Sequence, residues 1–522
     1  MSKHLDFGSS ARRALINGAV AATAAFGFPA WAAACDDIAS TVRALGPSAA
    51  VDVESSLAFY DSRGGGCAWD EENAAGLISV VEAAEDHGLD PMLFHADMLA
   101  AKPGIDAAQR DVLMTDAAIK FASAMLRGLS APPVAKVDRA AGSPKNSEII
   151  NALSQALEGG DVSAWLDGLA PRTDSYLQIR AALSTYRSIA EAGGWEPMPA
   201  ALASKKKRAP FIPALRKRLA IEGDLLTDDG SDLFDEELRA AIERFQMRNG
   251  MRADGQLTLK TIDRLNVSAA QRVVQLAVNL ERLRVERRNP STTRVEVNAP
   301  AATVVLYRDG IPHMAMNVVV GKPGHDTPTL ASTIDTIILN PQWTIPQSII
   351  RNEIKPALKR NKDYLTKHRM YWAGDQLIQE PGPHNALGRV KFDFPNRYSV
   401  YLHDTPSRSA FMDAERAQSH GCVRVEKPVD LAVELLRNDP KWTREAIEQS
   451  IRDGATRRIP LGEPMPVIIV YETAFVGDDG LVQFRPDIYG LDTQLTLALS
   501  ERATAMRTDA APAPEDTSAG EF

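Results

Sequence analysis

Tyr398-Ser399-Val400-Tyr401-Leu402-His403 and, fifteen residues further on, Ser419-His420-Gly421-Cys422-Val423-Arg424 are the two segments whose reading decides this fold. The first is rich in aromatic and β-branched residues and reads as a strand closed by a histidine. The second places a cysteine behind a glycine, with His420 two residues before it and Arg424 two residues after. A thiol becomes a useful nucleophile when an imidazole, a cation or a helix N-terminus helps to remove its proton. Gly421 lets the backbone come close to a substrate, so the amides of residues 421 and 422 can hold a developing oxyanion. Ser, His, Gly and Arg are poor core residues, so Cys422 reads as a nucleophile for acyl transfer rather than as a buried small hydrophobe.

Outward from these segments the texture stays β-rich. Val295-Glu296-Val297, Thr303 to Tyr307, Met316 to Val320 and Ile334 to Leu339 are short strand-like runs, and Asp309-Gly310 marks a turn between two of them. That pattern suits a sandwich or barrel. Pro346 to about Arg369 interrupts it with a Lys/Arg-rich helical pattern, and the whole insertion, about 346–390, reads as a lid. Beyond the cysteine, Val429 to Arg437 and Thr443 to Ile451 read as helices and Val467 to Tyr471 as a late strand. The β-rich unit is placed at 293–500, and a tail at 501–522, Ala/Pro/Glu/Ser-rich from about Thr508, is expected to be disordered.

Upstream the period changes to that of helices. Residues 35–204 carry Ala-rich segments with apolar residues at three- and four-residue steps, and 205–268 form a second compact helical unit punctuated by Gly223, Gly230, Gly250 and Gly255. Residues 269–292 read as a linking helix. The fold class is therefore α+β and multidomain, as 522 residues also suggest.

A net charge of −9 argues against a nucleic-acid binder. The basic run Lys205-Lys206-Lys207-Arg208 reads as a solvated linker. Lys3, Arg12 and Arg13 precede an apolar stretch that ends in Ala32-Ala33-Ala34, so residues 1–34 read as an export signal with no membrane span after its removal. Soluble export ranks above lipidation at Cys35. In an oxidising compartment Cys35 and Cys67 either pair, or stand as a processed terminus and a buried thiol. His313, His325, His368 and His384 lack metal-ligand spacing, and no metal or cofactor is implied.

His403 followed at that distance by Ser419-His420-Gly421-Cys422 resembles the signature of the L,D-transpeptidase (YkuD-type) catalytic domain. Thr327-Pro328-Thr329, Asn340 to Pro346, Asn385-Ala386-Leu387-Gly388-Arg389 and His403-Asp404-Thr405-Pro406 are similar to blocks of its large, YcbB-like Gram-negative members. Phe59-Tyr60 and His87-Gly88-Leu89-Asp90-Pro91 resemble their helical scaffold domain, and 205–268 resembles a small peptidoglycan-binding module. The resemblance implies a periplasmic enzyme acting on peptidoglycan stem peptides and glycan, with a sandwich-like catalytic domain. It implies Cys422 as nucleophile, His403 as base oriented by the Asp404 carbonyl, and His420 and Gly421 lining the site. Arg424, Ser419, Tyr401 and Trp343 are the implied substrate contacts. Hydrolysis, as an L,D-carboxypeptidase or cross-link endopeptidase, and a non-catalytic wall-binding scaffold are the alternatives.

Overall fold

The computed structural model describes residues 35, 37–100, 104–129, 145–200, 211–286 and 291–508. The expected export signal and the basic run at 205–208 lie outside them.

The N-terminal unit is all helix, built around α1 (Ala107–Arg127). Asp106 starts α1 with a capping box: its carboxylate accepts the Gln109 N–H at 2.8 Å, and the Gln109 side chain accepts the Asp106 N–H at 3.1 Å. Three polar residues of α1 are buried, and each has partners. Tyr60 donates to Asp111 at 2.7 Å, the Trp69 indole donates to Thr115 at 2.9 Å, and Asp116 pairs with both His95 and Lys120 at 2.6 Å. Cys35 and Cys67 are disulfide-bonded, so the pairing alternative is the one the structure adopts. α2 (Asp174–Glu191) completes this core.

A smaller core follows, formed by Leu215, Leu219, Leu238, Ile242, Phe245, Ile262 and Leu265. Its main helix, α3 (Glu236–Arg248), is capped by Asp235, which accepts the Leu238 N–H at 2.8 Å. The next helix, α4 (Ala269–Glu286), does more than link. Leu276, Leu280 and Leu283 belong to the N-terminal core, and buried Arg284 donates to the His87 carbonyl at 2.7 Å.

β1 (Arg294–Asn298), β2 (Thr303–Arg308), β3 (Ile311–Gly321), β4 (Leu330–Leu339), β5 (Val390–Asp393), β6 (Leu402–His403), β7 (Ala417–Ser419), β8 (Val423–Val425) and β9 (Arg457–Val470) form one sheet. Its order is β7-β3-β8-β6-β5-β4-β9-β1-β2. β2 also pairs with β3, so the sheet curls back on itself around a single core. Strand alternation sends Phe392, Leu402, Val423 and Val425 into that core and leaves their sequence neighbours on the opposite face.

Two expectations are corrected. The strand expected from Tyr398 begins only at Leu402, because the Asn396 side chain ties residues 396–400 into a turn: its Oδ1 accepts from the Tyr398 and Val400 N–H, and its Nδ2 donates to the Val400 carbonyl. The insertion is only partly helical. A helical stretch spanning 347–360 packs on a hairpin, Met370–Ala373 with Gln376–Gln379, around Ile345, Ile350, Ile354, Met370 and Leu377. At the other end the helix Leu491–Thr508 runs through the first residues of the expected tail.

Gly88 fixes how closely α4 docks. It has a left-handed φ of 68°, and a Cβ there would lie 2.8 Å from the Ala277 Cα. Gly88→Ala is expected to destabilise the protein by about 2–5 kcal/mol, combining the left-handed penalty with overpacking against α4. A melting temperature equal to that of the unmodified protein would show that the approach is not tight.

Candidate active site

The site lies on the outer face of the sheet, where β5, β6 and β8 run side by side. Lys391 is the register partner of His403, and His403 that of Arg424. These three side chains therefore share one row on the face turned away from the core. Two residues along each strand, the same alternation sets Asp393, Tyr401 and Cys422 in a second row. Cys422 and His403 are thus diagonal neighbours on adjacent strands, about 8 Å apart at Cα by ordinary sheet spacings. Both Tyr401 and Cys422 stand just outside regular strand, and the Val423 N–H to Tyr401 carbonyl hydrogen bond, 3.1 Å, holds the two segments in register.

Cys422 is the sole free cysteine of the three in the chain. Its sulfur lies 3.9 Å from the Ser399 carbonyl, a residue in left-handed conformation with φ 55°. Burial pushes the thiol above its ordinary value, while the backbone and hydroxyl of Tyr401 and the charges of Lys391 and Arg424 pull the other way without overcoming it. The Tyr401 hydroxyl sits between Trp343 and Cys422, and burial beside the sulfur raises its own pKa. Lys391 Nζ lies 4.1 Å from the Tyr401 ring centroid.

His403 is buried, with its Nδ1 hydrogen-bonded to the Asp404 carbonyl. A carbonyl only accepts, so Nδ1 carries the proton and Nε2 presents a lone pair. Burial, and then the charge of Arg424, lower this imidazole to about 4. The Asp404 carboxylate faces elsewhere. It accepts from the Arg389 N–H at 2.9 Å and guanidinium at 3.1 Å, and from Arg408 at 3.1 Å. Those bonds anchor the backbone carbonyl that orients His403.

The loop before the cysteine is tied from within. Thr327 donates to the Gly421 carbonyl at 2.8 Å, and Gly421 itself adopts φ 113°, which L side chains rarely take. Ser419 is 2% exposed; its hydroxyl accepts the Gly421 N–H at 3.1 Å and donates to the Cys422 carbonyl at 2.6 Å. Ser419 thus shapes the loop, and the Gly421 amide is engaged within it, whereas the Cys422 amide forms no hydrogen bond among the described residues. His420 points to the insertion, where its Nε2 pairs with Glu353 at 2.7 Å, and its ring meets that of His325 edge-on at 5.0 Å. Arg424 is half-buried and its side chain has no hydrogen bond or ion pair among the described residues; burial lowers its pKa.

Lys391, Glu353, His325 and Ser399 are site residues that the motif did not announce. Lys391 was legible in principle, since alternation in Val390-Lys391-Phe392 puts the lysine opposite two core residues. No local signal marks the other three. A half-buried thiol, a buried imidazole whose Nε2 has no partner among the described residues, and a backbone amide likewise without one are parts that a cysteine acyl-transfer centre needs.

Comparison with known proteins matches three parts of the chain to families. Residues 292–450 match the L,D-transpeptidase catalytic domain (YkuD), 55–183 a scaffold domain, and 208–265 a “Putative peptidoglycan binding domain”. The chain thus carries a YkuD L,D-transpeptidase catalytic domain behind scaffold and peptidoglycan-binding domains. A curated relative from Haemophilus influenzae, “Putative L,D-transpeptidase”, is 32% identical over 244 residues, covering 43% of this chain and 49% of the relative. The chain spans about half the length of that relative. Among solved structures, an L,D-transpeptidase from Stackebrandtia nassauensis shares 14% identity over 51% of this chain and 94% of its own, with a TM-score of 0.21. One from Xylanimonas cellulosilytica shares 16% identity over 51% and 96%, with a TM-score of 0.17.

Because Cys35 and Cys67 are bonded, alkylation by iodoacetamide reports on Cys422 alone. Its pH dependence is expected to lie above that of an ordinary thiol. Tyr401→Phe, by removing a hydrogen bond to the thiolate, should move the midpoint up by about one unit further. An unshifted midpoint in the variant would mean that the hydroxyl does not serve the sulfur.

Proposed function

We propose that this protein is a peptidoglycan L,D-transpeptidase that works outside the cytoplasm, in the periplasm of a Gram-negative cell. The observation that carries this reading is the placement of Cys422 and His403 as diagonal neighbours on one face of paired strands, inside a matched L,D-transpeptidase catalytic domain. The peptidoglycan-binding domain supports the wall polymer as partner. No helix among the described residues is long and apolar enough to cross a membrane.

The chemistry follows from the protonation states. Thiol and imidazole are both neutral at rest, so His403 Nε2 takes the Cys422 proton as the sulfur attacks the carbonyl carbon of the third residue of a tetrapeptide stem. The Cys422 amide faces the developing oxyanion. As the bond to the terminal D-alanine breaks, the proton on His403 passes to the departing amine, and a thioester remains. An amine from a second stem then attacks; His403 takes its proton, the carbon–sulfur bond breaks, and the thiol recovers the proton as a new amide forms. Arg424, a cation without a protein carboxylate, suits a carboxylate of the stem.

Hydrolysis differs only in that water attacks the thioester. The insertion favours transfer, because the Glu353–His420 pair holds it against the cysteine loop, where it restricts water. Disaccharide tetrapeptides incubated with the protein and resolved by mass should give cross-linked dimer and free D-alanine, and neither with Cys422→Ala. Tripeptide without dimer would establish hydrolysis instead, and no Cys422-dependent product would end the enzymatic reading.

The acid limb of kcat/KM tests the base. His403 is neutral and competent above its pKa, so activity should persist down to about pH 4 instead of failing near the ordinary histidine value. Arg424 disfavours the protonated ring, so Arg424→Gln should shift this limb to higher pH while lowering the rate. A limb that stays in place would remove Arg424 from the electrostatics of His403.

A further inference from the structure

A cavity of about 710 Å³ lies away from Cys422. It is a cleft between the peptidoglycan-binding domain and the curled sheet, walled on one side by residues 247–264 and on the other by the β1–β2 turn, β3 and residues 411–417. Its charge is one-sided. Arg252, Lys260, Arg264, Arg416 and Arg485 line it, against two carboxylates, Asp413 and Glu415. Lys260 pairs with Glu415 across the cleft at an exposed position.

The remaining cations are poorly matched by protein anions. Arg264 is half-buried, its pKa lowered by burial against the opposing charges of Asp263 and Glu415, and it has no side-chain hydrogen bond or ion pair among the described residues. Arg416 donates only to backbone carbonyls, those of Asp413, Ala301 and Ala302, and its Nε is buried without a partner. Arg485 likewise donates to the carbonyls of Arg248 and Phe484. Carboxylates lie near Arg264 and Arg416 but none is hydrogen-bonded to either, and desolvated guanidinium groups left so are disfavoured until an anion arrives. Exposed Arg252 adds charge at the rim.

We propose that this cleft is a second substrate site, which holds the carboxylates of a stem peptide and so presents a peptidoglycan strand to the catalytic centre; this rests on the transpeptidase reading above. Distance supports the assignment. Ala417, in the cleft wall, leads in five residues to Cys422, at most about 17 Å of chain. A four-residue stem fully extended spans about 14 Å. A strand seated by one stem in the cleft therefore keeps its glycan or a neighbouring stem within reach of the sulfur. The acidic surface of the domain, Asp228, Asp229 and Asp232, plays no part in this. Its contribution is Arg252, Lys260 and Arg264, on the side that faces the sheet.

The test is sedimentation of the full chain with purified peptidoglycan sacculi at several salt concentrations, comparing the unmodified protein with Arg264→Gln and with Arg252→Glu/Arg264→Gln. The double variant should bind roughly ten-fold more weakly at low salt, as loss of charge-assisted contacts implies, and its residual binding should vary less with salt. Melting temperature and iodoacetamide reactivity of Cys422 should be unchanged, which separates the effect from misfolding. Glycan stripped of stem peptides by an amidase should bind the unmodified protein only as well as intact sacculi bind the double variant. Equal binding of the variants and the unmodified protein to intact sacculi would overturn the proposal. So would equal binding of stripped and intact material, or no binding by the unmodified protein. Cys422→Ala should bind sacculi normally, and binding by the unmodified protein without any turnover would count against the transpeptidase reading and leave the cleft standing.

Discussion

One backbone hydrogen bond, from the Val423 N–H to the Tyr401 carbonyl, sets the geometry on which the site depends. A parallel pair needs a crossover, and here residues 404–422 supply it with one short 3-10 helix, Arg408–Met412, and β7. Within that crossover Asp404 is pinned by Arg389 and Arg408, and Thr327 reaches over from the β3–β4 connection to hold Gly421. A slip of one residue between β6 and β8 would send His403 into the core and Leu402 out to the substrate side. The apolar set Phe392, Leu402 and Val423 opposes any such slip, so the hydrophobic core fixes the register of His403 and Cys422 from behind.

Burial then decides the electrostatics. Taken alone, the cations near Cys422 would favour a resting thiolate, yet desolvation outweighs them and holds the thiol protonated. The same desolvation, reinforced by Arg424, holds His403 neutral. A neutral pair is cheaper to keep in a low-dielectric pocket than an ion pair, and in the proposed reaction it leaves the proton transfer to coincide with attack. The motif identifies the participants, but their charge state depends on depth below the surface, which a local sequence does not encode.

What the sequence disclosed follows the range of the interactions concerned. The change from helical to strand period near Arg294, the capped helices and the spacing from His403 to Cys422 are local patterns, and they led directly to the fold class and the central pair. Tyr398 to Tyr401 misled because an Asn396 side chain diverts backbone hydrogen bonds that propensity assigns to a strand. The hairpin in the insertion had a signal, Gly374-Asp375 between Tyr371-Trp372 and Leu377-Ile378, which the flanking Lys/Arg-rich helical pattern masked. Glu353 beside His420 and α4 within the N-terminal core are contacts across long stretches of chain. Periodicity shows that a face is buried, never against what.

The role of α4 bears on how three units act as one. Gln275 donates to the carbonyls of Thr473 and Arg485, and Asn279 exchanges hydrogen bonds with Thr473, so the helix is fastened to the chain that leaves β9. Arg272 reaches Asn249 of the peptidoglycan-binding domain at 2.7 Å, and Arg248 pairs with Asp224 while donating to the Val482 carbonyl at 2.6 Å. Buried Glu222, lowered to about 2 by the surrounding arginines, accepts from Tyr186 of α2. Such a buried network adds little net stability over an apolar replacement, but removing one member would strand the others at a cost of about 3–5 kcal/mol. It therefore suits fixed relative placement better than a flexible tether would. The cationic cleft sits directly beside this junction, sharing Asn249 and Arg485 with it, so its two walls are held by the same polar contacts that join the domains.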